Sequence, residues 1–337
     1  MRIVGIGGGT GLPVLLSGLR KLNEDGEEPI DITAIVTVSD NGGSTGTLRQ
    51  AFGMPAMGDI RNCLVALADA DRLLTLMCQH RFEVTDGLAG HSLGNLILSA
   101  LYQMSGDFQS AVQLASDLLR LEGRVLPVTE IPVTLCALCE DGTTVEGESS
   151  IPQSKVKLSR LWLDPPDPLP SPGVLEAIEY ADAIVIGPGS LYTSIIPNLL
   201  VEGVAEAIYA SRAVKIYICN LMTQAGETDG YSAVDHLRAL QSYLPAGSID
   251  ACVLNNQAIG TGLAKAYLRS EAETVLFTRE TEDEVRRAGV IPVAAALLKD
   301  GELKARHDPD ALARVVVSLA NGVTGVQELT CGQSNRR

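Results

Sequence analysis

Met1-Arg2-Ile3-Val4-Gly5-Ile6-Gly7-Gly8-Gly9-Thr10-Gly11-Leu12 is the stretch that decides the fold. An apolar run enters a cluster of five glycines and leaves into an amphipathic segment over residues 13–22. That order predicts strand, tight turn, helix. Glycines at such a turn let the backbone come close to a ligand, and the helix that follows offers unpaired N–H groups and a positive dipole end. A phosphate is the expected guest, above all the diphosphate of a nucleotide. The loop departs from the dinucleotide fingerprint: counted from Gly5, G-x-G-x-x-G meets Thr10 where its third glycine belongs. No lysine follows, so it is not a Walker A loop either.

Working outward, residues 32–38 are β-branched and apolar and predict a second buried strand. It runs into Ser39-Asp40-Asn41-Gly42-Gly43-Ser44, a second glycine-rich loop. Asp40 sits where a Rossmann enzyme places its ribose-binding acid, and it is also a candidate for holding Mg²⁺ or acting as a base. Two such loops at the ends of two early strands predict an α/β, Rossmann-like, doubly wound and mostly parallel sheet. In that fold, ligands bind beyond the carboxyl ends of the strands, at a switch point.

Residues 58–121 carry successive helical patterns and read as a helical block inserted into the βαβ rhythm, with Asp59 as the N-cap of its first helix. Residues 124–164 read as a small β-hairpin excursion turning at Asp141-Gly142. A proline-rich connector follows, with Pro165, Pro166, Pro168, Pro170 and Pro172. The βαβ rhythm then resumes. Residues 183–186 lead into Gly187-Pro188-Gly189-Ser190, residues 214–219 into Asn220-Leu221-Met222-Thr223-Gln224, and residues 249–254 into Asn255-Asn256. Residues 308–321 predict a closing helix. The expectation is one domain over residues 1–321 and a disordered polar tail over residues 322–337.

Composition narrows the function. A net charge of −15 disfavours DNA, RNA and anionic lipid as partners. Aromatic residues at 4% leave few platforms on which single-stranded bases could stack. The first strand begins next to Met1 and no run of 18 apolar residues occurs, so neither a signal peptide nor membrane insertion is expected. Seven cysteines scattered through apolar segments fit reduced thiols and a cytoplasmic location. Cys136 and Cys139 form C-x-x-C on a strand, where residues three apart face opposite sides, so buried thiols are expected. His91 opens a helix beside glycines and is a candidate catalytic residue, with Asp40 and Asp59. Ser190 at a helix start suits a second anionic group, and Arg306 is a candidate phosphate clamp.

Several stretches taken together resemble one family. Gly7 to Gly11, Ser39 to Ser44, Gly58-Asp59-Ile60-Arg61-Asn62, Gly94-Asn95-Leu96, Gly187 to Ile195, Asn220 to Gln224 with Gly226-Glu227-Thr228, and Asn255-Asn256 are similar to the gluconeogenesis factor family, which is related in fold to 2-phospho-L-lactate transferase. The resemblance implies a cytoplasmic regulator of cell shape and cell-wall precursor metabolism on gluconeogenic carbon, and a homodimer is the assembly expected. Its implied ligand is a nucleotide-sugar such as UDP-N-acetylglucosamine. The implied binding residues are Gly9, Thr10, Gly11 and Leu12; Asp40, Asn41, Gly42, Gly43 and Ser44; Gly187, Gly189 and Ser190; Asn220, Thr223 and Gln224; and, late in the chain, Tyr267 and Arg306. The alternative is an Mg²⁺-dependent transferase moving a phospho-acid from a nucleotide donor to an alcohol. That transferase has two adjacent acids where this chain has Asp40-Asn41, which weakens the metal-assisted reading. An NAD(P)-binding oxidoreductase is a third option, with no acid/base set beyond His91.

Overall fold

The computed structural model describes residues 1–26, 29–70, 72–83, 87–260, 267, 271–299 and 304–322. Strand β1 (Arg2–Gly7) is buried along all but its first residue, as is β2 (Asp31–Val36), and α1 (Leu12–Asp25) connects them in a parallel crossover. Strands buried on both faces read as unbroken apolar runs, which is why these segments were legible. Helices α2 (Gly43–Phe52), α3 (Gly58–Leu67), α4 (Arg72–Gln79), α5 (Leu93–Ser105) and α6 (Phe108–Leu119) then intervene before β3 (Arg124–Pro127).

Strand β3 pairs in parallel with β2 and forms one edge of the main sheet. The excursion is therefore shorter than expected: β4 (Thr134–Cys139), β5 (Thr144–Glu146) and β6 (Leu158–Asp164) make a separate antiparallel sheet in the order β5-β4-β6. Helix α7 (Ile151–Ser154) sits between β5 and β6. The helical block lies in the β2-to-β3 crossover, with α3 packed on α1 and β2 and both α3 and α6 packed on β3, so its apolar faces belong to the main core.

The second half supplies α8 (Val174–Glu179), β7 (Ala183–Ile186), a wide helical turn at Leu191–Ile195 running into α9 (Ile196–Leu199), and α10 (Val204–Ala210). Next come β8 (Val214–Ile218), α11 (Ala233–Gln241), β9 (Ala251–Asn255), α12 (Arg279–Arg287), β10 (Ile291–Ala295) and α13 (Pro309–Ala320). All seven main-sheet strands among the described residues are parallel, in the order β10-β9-β8-β7-β1-β2-β3. Asp308 caps α13 by accepting the Ala311 N–H at 2.7 Å. By contrast α3 starts at Gly58 with Met57 at its cap position, so Asp59 lies inside the first turn and is not the N-cap. No single helix among the described residues is long and apolar enough to cross a membrane. The tail from residue 323 lies outside the described residues.

Candidate functional site

Sheet order places the site. From β1 the chain moves to β2 and β3 on one side, then returns to β7 on the other, so the loops after β1 and β7 part company at the carboxyl edge. A crevice opens at such a switch point. Here it is a cleft of about 560 Å³, within the range of small-molecule sites, lined by Gly9, Thr10 and Gly11 from the first loop and Pro188, Gly189 and Ser190 from the second. The two loops touch: a Cβ on Gly11 would lie 2.3 Å from the Pro188 carbonyl oxygen and 2.8 Å from the Gly189 nitrogen. Only glycine fits there. Helix α1 begins after Gly11, and the helical segment from Leu191 begins after Ser190, each without a side-chain cap. Both starts point a positive dipole end at the cleft. At α1, Pro13 has no N–H and the Val14 N–H bonds the Gly11 carbonyl at 2.9 Å, so the N–H groups of residues 10–12 in the loop itself and of residues 191–193 are the donors on offer to an anion.

The first loop is held from beneath by α3. Asn62 Nδ2 donates to the Gly9 carbonyl at 3.1 Å, and the Asp59 carboxyl accepts the Gly9 N–H. A Cβ on Gly8 would stand 2.6 Å from Asp59 Oδ2. Asp59 is half-buried, and desolvation of its carboxyl pushes its pKa up to about 7; the Gly9 N–H and Arg61 oppose that rise, and the charge of Asp40 adds to it. The motif Gly58-Asp59-Ile60-Arg61-Asn62 therefore serves the glycine loop. Arg61 anchors it further, donating to Ser92 Oγ at 2.6 Å, Asn95 Oδ1 at 2.9 Å and Asn62 Oδ1 at 2.7 Å.

The loop after β8 forms another wall. Asn220 Nδ2 donates to Gln224 Oε1 at 3.3 Å, the Gln224 N–H donates to Thr228 Oγ1 at 2.8 Å, and Thr223 exchanges two hydrogen bonds with Glu273. Leu221 and Met222 are buried in a small apolar cluster that Tyr267 and Ala305 pack against. The Tyr267 hydroxyl accepts the Ala305 N–H at 2.9 Å, and Leu298 bridges His307 in antiparallel fashion, so residues 304–307 are held at the cleft. Lys304 and Arg306 are exposed there, and neither forms an ion pair among the described residues. His307 is buried, donates to the Cys219 carbonyl and leaves Nε2 without a partner; burial pushes its pKa down to about 4, so the ring is neutral.

Two further lining residues, Glu148 and Glu227, were not singled out by sequence reasoning. Ser190 Oγ donates to Glu227 Oε2 at 2.5 Å, and Thr193 Oγ1 donates to Ser190 Oγ at 2.6 Å. Burial pushes the Glu227 carboxyl up while these hydroxyls hold it back. Glu148 is also pushed up, first by burial and then by the charge of Asp40, with which it shares a hydrogen bond. Glu227 had a signal in Gly226-Glu227-Thr228. Glu148 had none, since it arrives from the separate small sheet.

Of the expected residues, the cleft brings together Gly9, Thr10, Gly11, Gly189, Ser190, Asn220, Thr223, Gln224, Tyr267 and Arg306. Others stand outside the lining. The Leu12 side chain is fully buried in the core, and Gly187 shapes the second loop at φ +83°. Asp40, Asn41, Gly42, Gly43 and Ser44 are not among the lining residues, and several of their polar atoms bond within the fold. Asp40 Oδ1 accepts the Gly42 N–H at 2.7 Å and Asn41 Oδ1 accepts the Ser149 N–H at 2.9 Å. Ser44 Oγ lies 2.9 Å from His91 Nδ1, and His91 is buried and outside the cleft lining. Among the described residues no three His, Cys, Asp or Glu side chains are placed to hold a metal ion. Cys136 and Cys139 are buried free thiols.

Fold and cleft together define a doubly wound α/β protein with a crevice at its switch point. The model of the family described as 2-phospho-L-lactate transferase CofD matches residues 3–298. The chain is 44% identical over 315 residues to the gluconeogenesis factor of Halalkalibacterium halodurans, covering 94% of this chain and 95% of that one. It is 43% identical over 318 residues to the gluconeogenesis factor of Bacillus subtilis, covering 94% and 98%. A crystal structure of a Bacillus halodurans protein superposes with a TM-score of 0.89 at 44% identity, over 94% of this chain and 98% of that one. The chain belongs to the CofD family, among its gluconeogenesis factors.

Proposed function

We propose that this chain is a cytoplasmic nucleotide-sugar-binding regulator, with a ligand of the UDP-N-acetylglucosamine type, acting on cell shape and cell-wall precursor metabolism during growth on gluconeogenic carbon. The observation that carries the reading is the pair of uncapped helix starts, after Gly11 and after Ser190, on one cleft with Arg306 at its rim. They form a seat for a diphosphate, with the nucleoside beside Tyr267 and the apolar corner of Leu221 and Met222. A homodimer remains the assembly proposed for it.

A ligand that binds the native state stabilises it by mass action, by about 2.7 kcal/mol at a hundred times its Kd. UDP-N-acetylglucosamine at millimolar concentration is expected to raise the Tm, and GDP and NADP to raise it little. A shift with GDP or NADP and none with the UDP-sugar refutes the reading. Mass spectrometry after overnight incubation separates binder from enzyme: intact nucleotide-sugar supports the regulator, and consumed donor overturns it. The second reading, a transferase moving a phospho-acid to an alcohol, draws on the family's name and on the titratable carboxyls of Glu148 and Glu227 in the cleft. It ranks second because this chain has Asp40-Asn41 where that transferase has two adjacent acids.

A further inference from the structure

The small antiparallel sheet sends one residue into the cleft. Of the residues that line it, Glu148 alone comes from the β4–β6 unit, and the chain is tied down on both sides of that residue. On one side the Ser149 N–H donates to Asn41 Oδ1 at 2.9 Å, and Asn41 Nδ2 lies against Gly147, where a Cβ would approach it to 2.2 Å. On the other, Gly226 packs against the Pro152 carbonyl so closely that a Cβ there would lie 1.9 Å from the oxygen. Residues 147–152 thus bridge the loop after β2 and the loop after β8, and the bridge fixes the position of one carboxyl.

Charge is distributed unevenly along the cleft. Lys304, Arg306, Glu148 and Glu227 all line it, but the charges that act on Glu148 are those of Asp40, Asp59 and Glu227, with neither cation among them. A carboxyl is a poor neighbour for a phosphate, which is itself an anion. It is a good partner for hydroxyl and amide N–H donors, because each oxygen accepts without needing a fixed donor type. The Ser190 hydroxyl occupies Glu227 Oε2, so Glu148, which lines the cleft and shares a hydrogen bond with Asp40, is the acidic side chain with acceptor capacity to offer a guest.

We propose that Glu148 is a specificity-determining residue that hydrogen-bonds the hydroxyl-bearing group attached beyond the diphosphate of the bound nucleotide. This rests on the nucleotide-sugar reading above and adds the division of labour within the cleft. Backbone N–H groups of the two glycine loops take the phosphates, and the small sheet supplies the group that distinguishes a nucleotide-sugar from the bare nucleoside diphosphate.

The experiment is calorimetric titration of the full chain, wild type, Glu148→Ala and Glu148→Gln, with UDP and with UDP-N-acetylglucosamine. For Glu148→Ala the affinity for the nucleotide-sugar is expected to fall about tenfold, the cost of leaving a polar group of the ligand unpaired, while UDP binding stays within about twofold. Glu148→Gln, which keeps a hydrogen-bonding carbonyl of the same shape, is expected to retain most of the nucleotide-sugar affinity. Unchanged UDP binding doubles as evidence that the variants are folded. If both ligands weaken equally, or neither weakens, Glu148 does not read the sugar and the inference fails while the nucleotide-sugar reading stands. A wild-type chain that binds neither ligand overturns both.

Discussion

Replacing Asp59 by Asn tests the part of the account in which physical chemistry is most explicit. The Asp59 carboxyl lies desolvated beneath the first glycine loop, and its pKa rises from 3.8 to about 7, mainly because desolvation penalises the charged form. Between those values the native chain keeps a proton that the unfolded chain has released, so stability falls as pH rises through this window and levels off above about 7. Each pH unit inside the window costs 1.36 kcal/mol, so from pH 5 to pH 7 the wild type loses about 3 kcal/mol through this group. Asparagine keeps an oxygen for the Gly9 N–H and does not ionise. The gap between Asp59→Asn and wild type should therefore widen in favour of the variant by about 3 kcal/mol between pH 5 and pH 8. Urea unfolding of both proteins at the two pH values measures it. A gap that stays constant, or that widens in favour of the wild type, refutes the claim that Asp59 is a desolvated, reluctantly ionised acid.

Other substitutions probe the cleft. Arg306→Ala should weaken UDP-sugar binding about tenfold or more through loss of a charge-assisted contact, with an unchanged Tm because the side chain is exposed; calorimetry and a thermal melt check the two halves. Gly11→Ala forces the first loop off the Pro188 carbonyl, so it should cost about 1–3 kcal/mol in urea unfolding and abolish the ligand-induced rise in Tm. Tyr267→Phe removes the acceptor of the Ala305 N–H and should lower nucleotide affinity several-fold by loosening residues 304–307; equal affinity would show that the tether is idle.

How far the sequence could be read follows from burial. β1, β2, β7 and β9 are short apolar runs ending in glycine or asparagine loops, and that pattern carries both strand type and the side on which the ligand sits. The two edges were harder. β10 contains Pro292, a residue tolerated at a sheet margin but a counter-signal for a strand, and β3 ends in Pro127 and was absorbed into the excursion. α12, Arg-Glu-Thr-Glu-Asp-Glu-Val-Arg-Arg, buries only Thr281 and Val285, so it has no apolar stripe to announce it. For the site, glycine loops showed where a backbone must come close, yet they could not reveal that Asp40 to Ser44 would be consumed by Gly42, Ser149, His91 and Asn95. Nor could local pattern bring Glu148 across from another sheet: that placement exists only once residues 147–152 are packed between two distant loops.

The central claim is that the two glycine loops seat the diphosphate of a nucleotide-sugar. The most direct measurement is a crystal structure of the chain soaked with UDP-N-acetylglucosamine. The account predicts diphosphate density within hydrogen-bonding distance of the backbone N–H groups at Gly11 and Ser190, with the sugar toward Glu148. Diphosphate density elsewhere, or an ordered ligand that leaves these loops untouched, would contradict it.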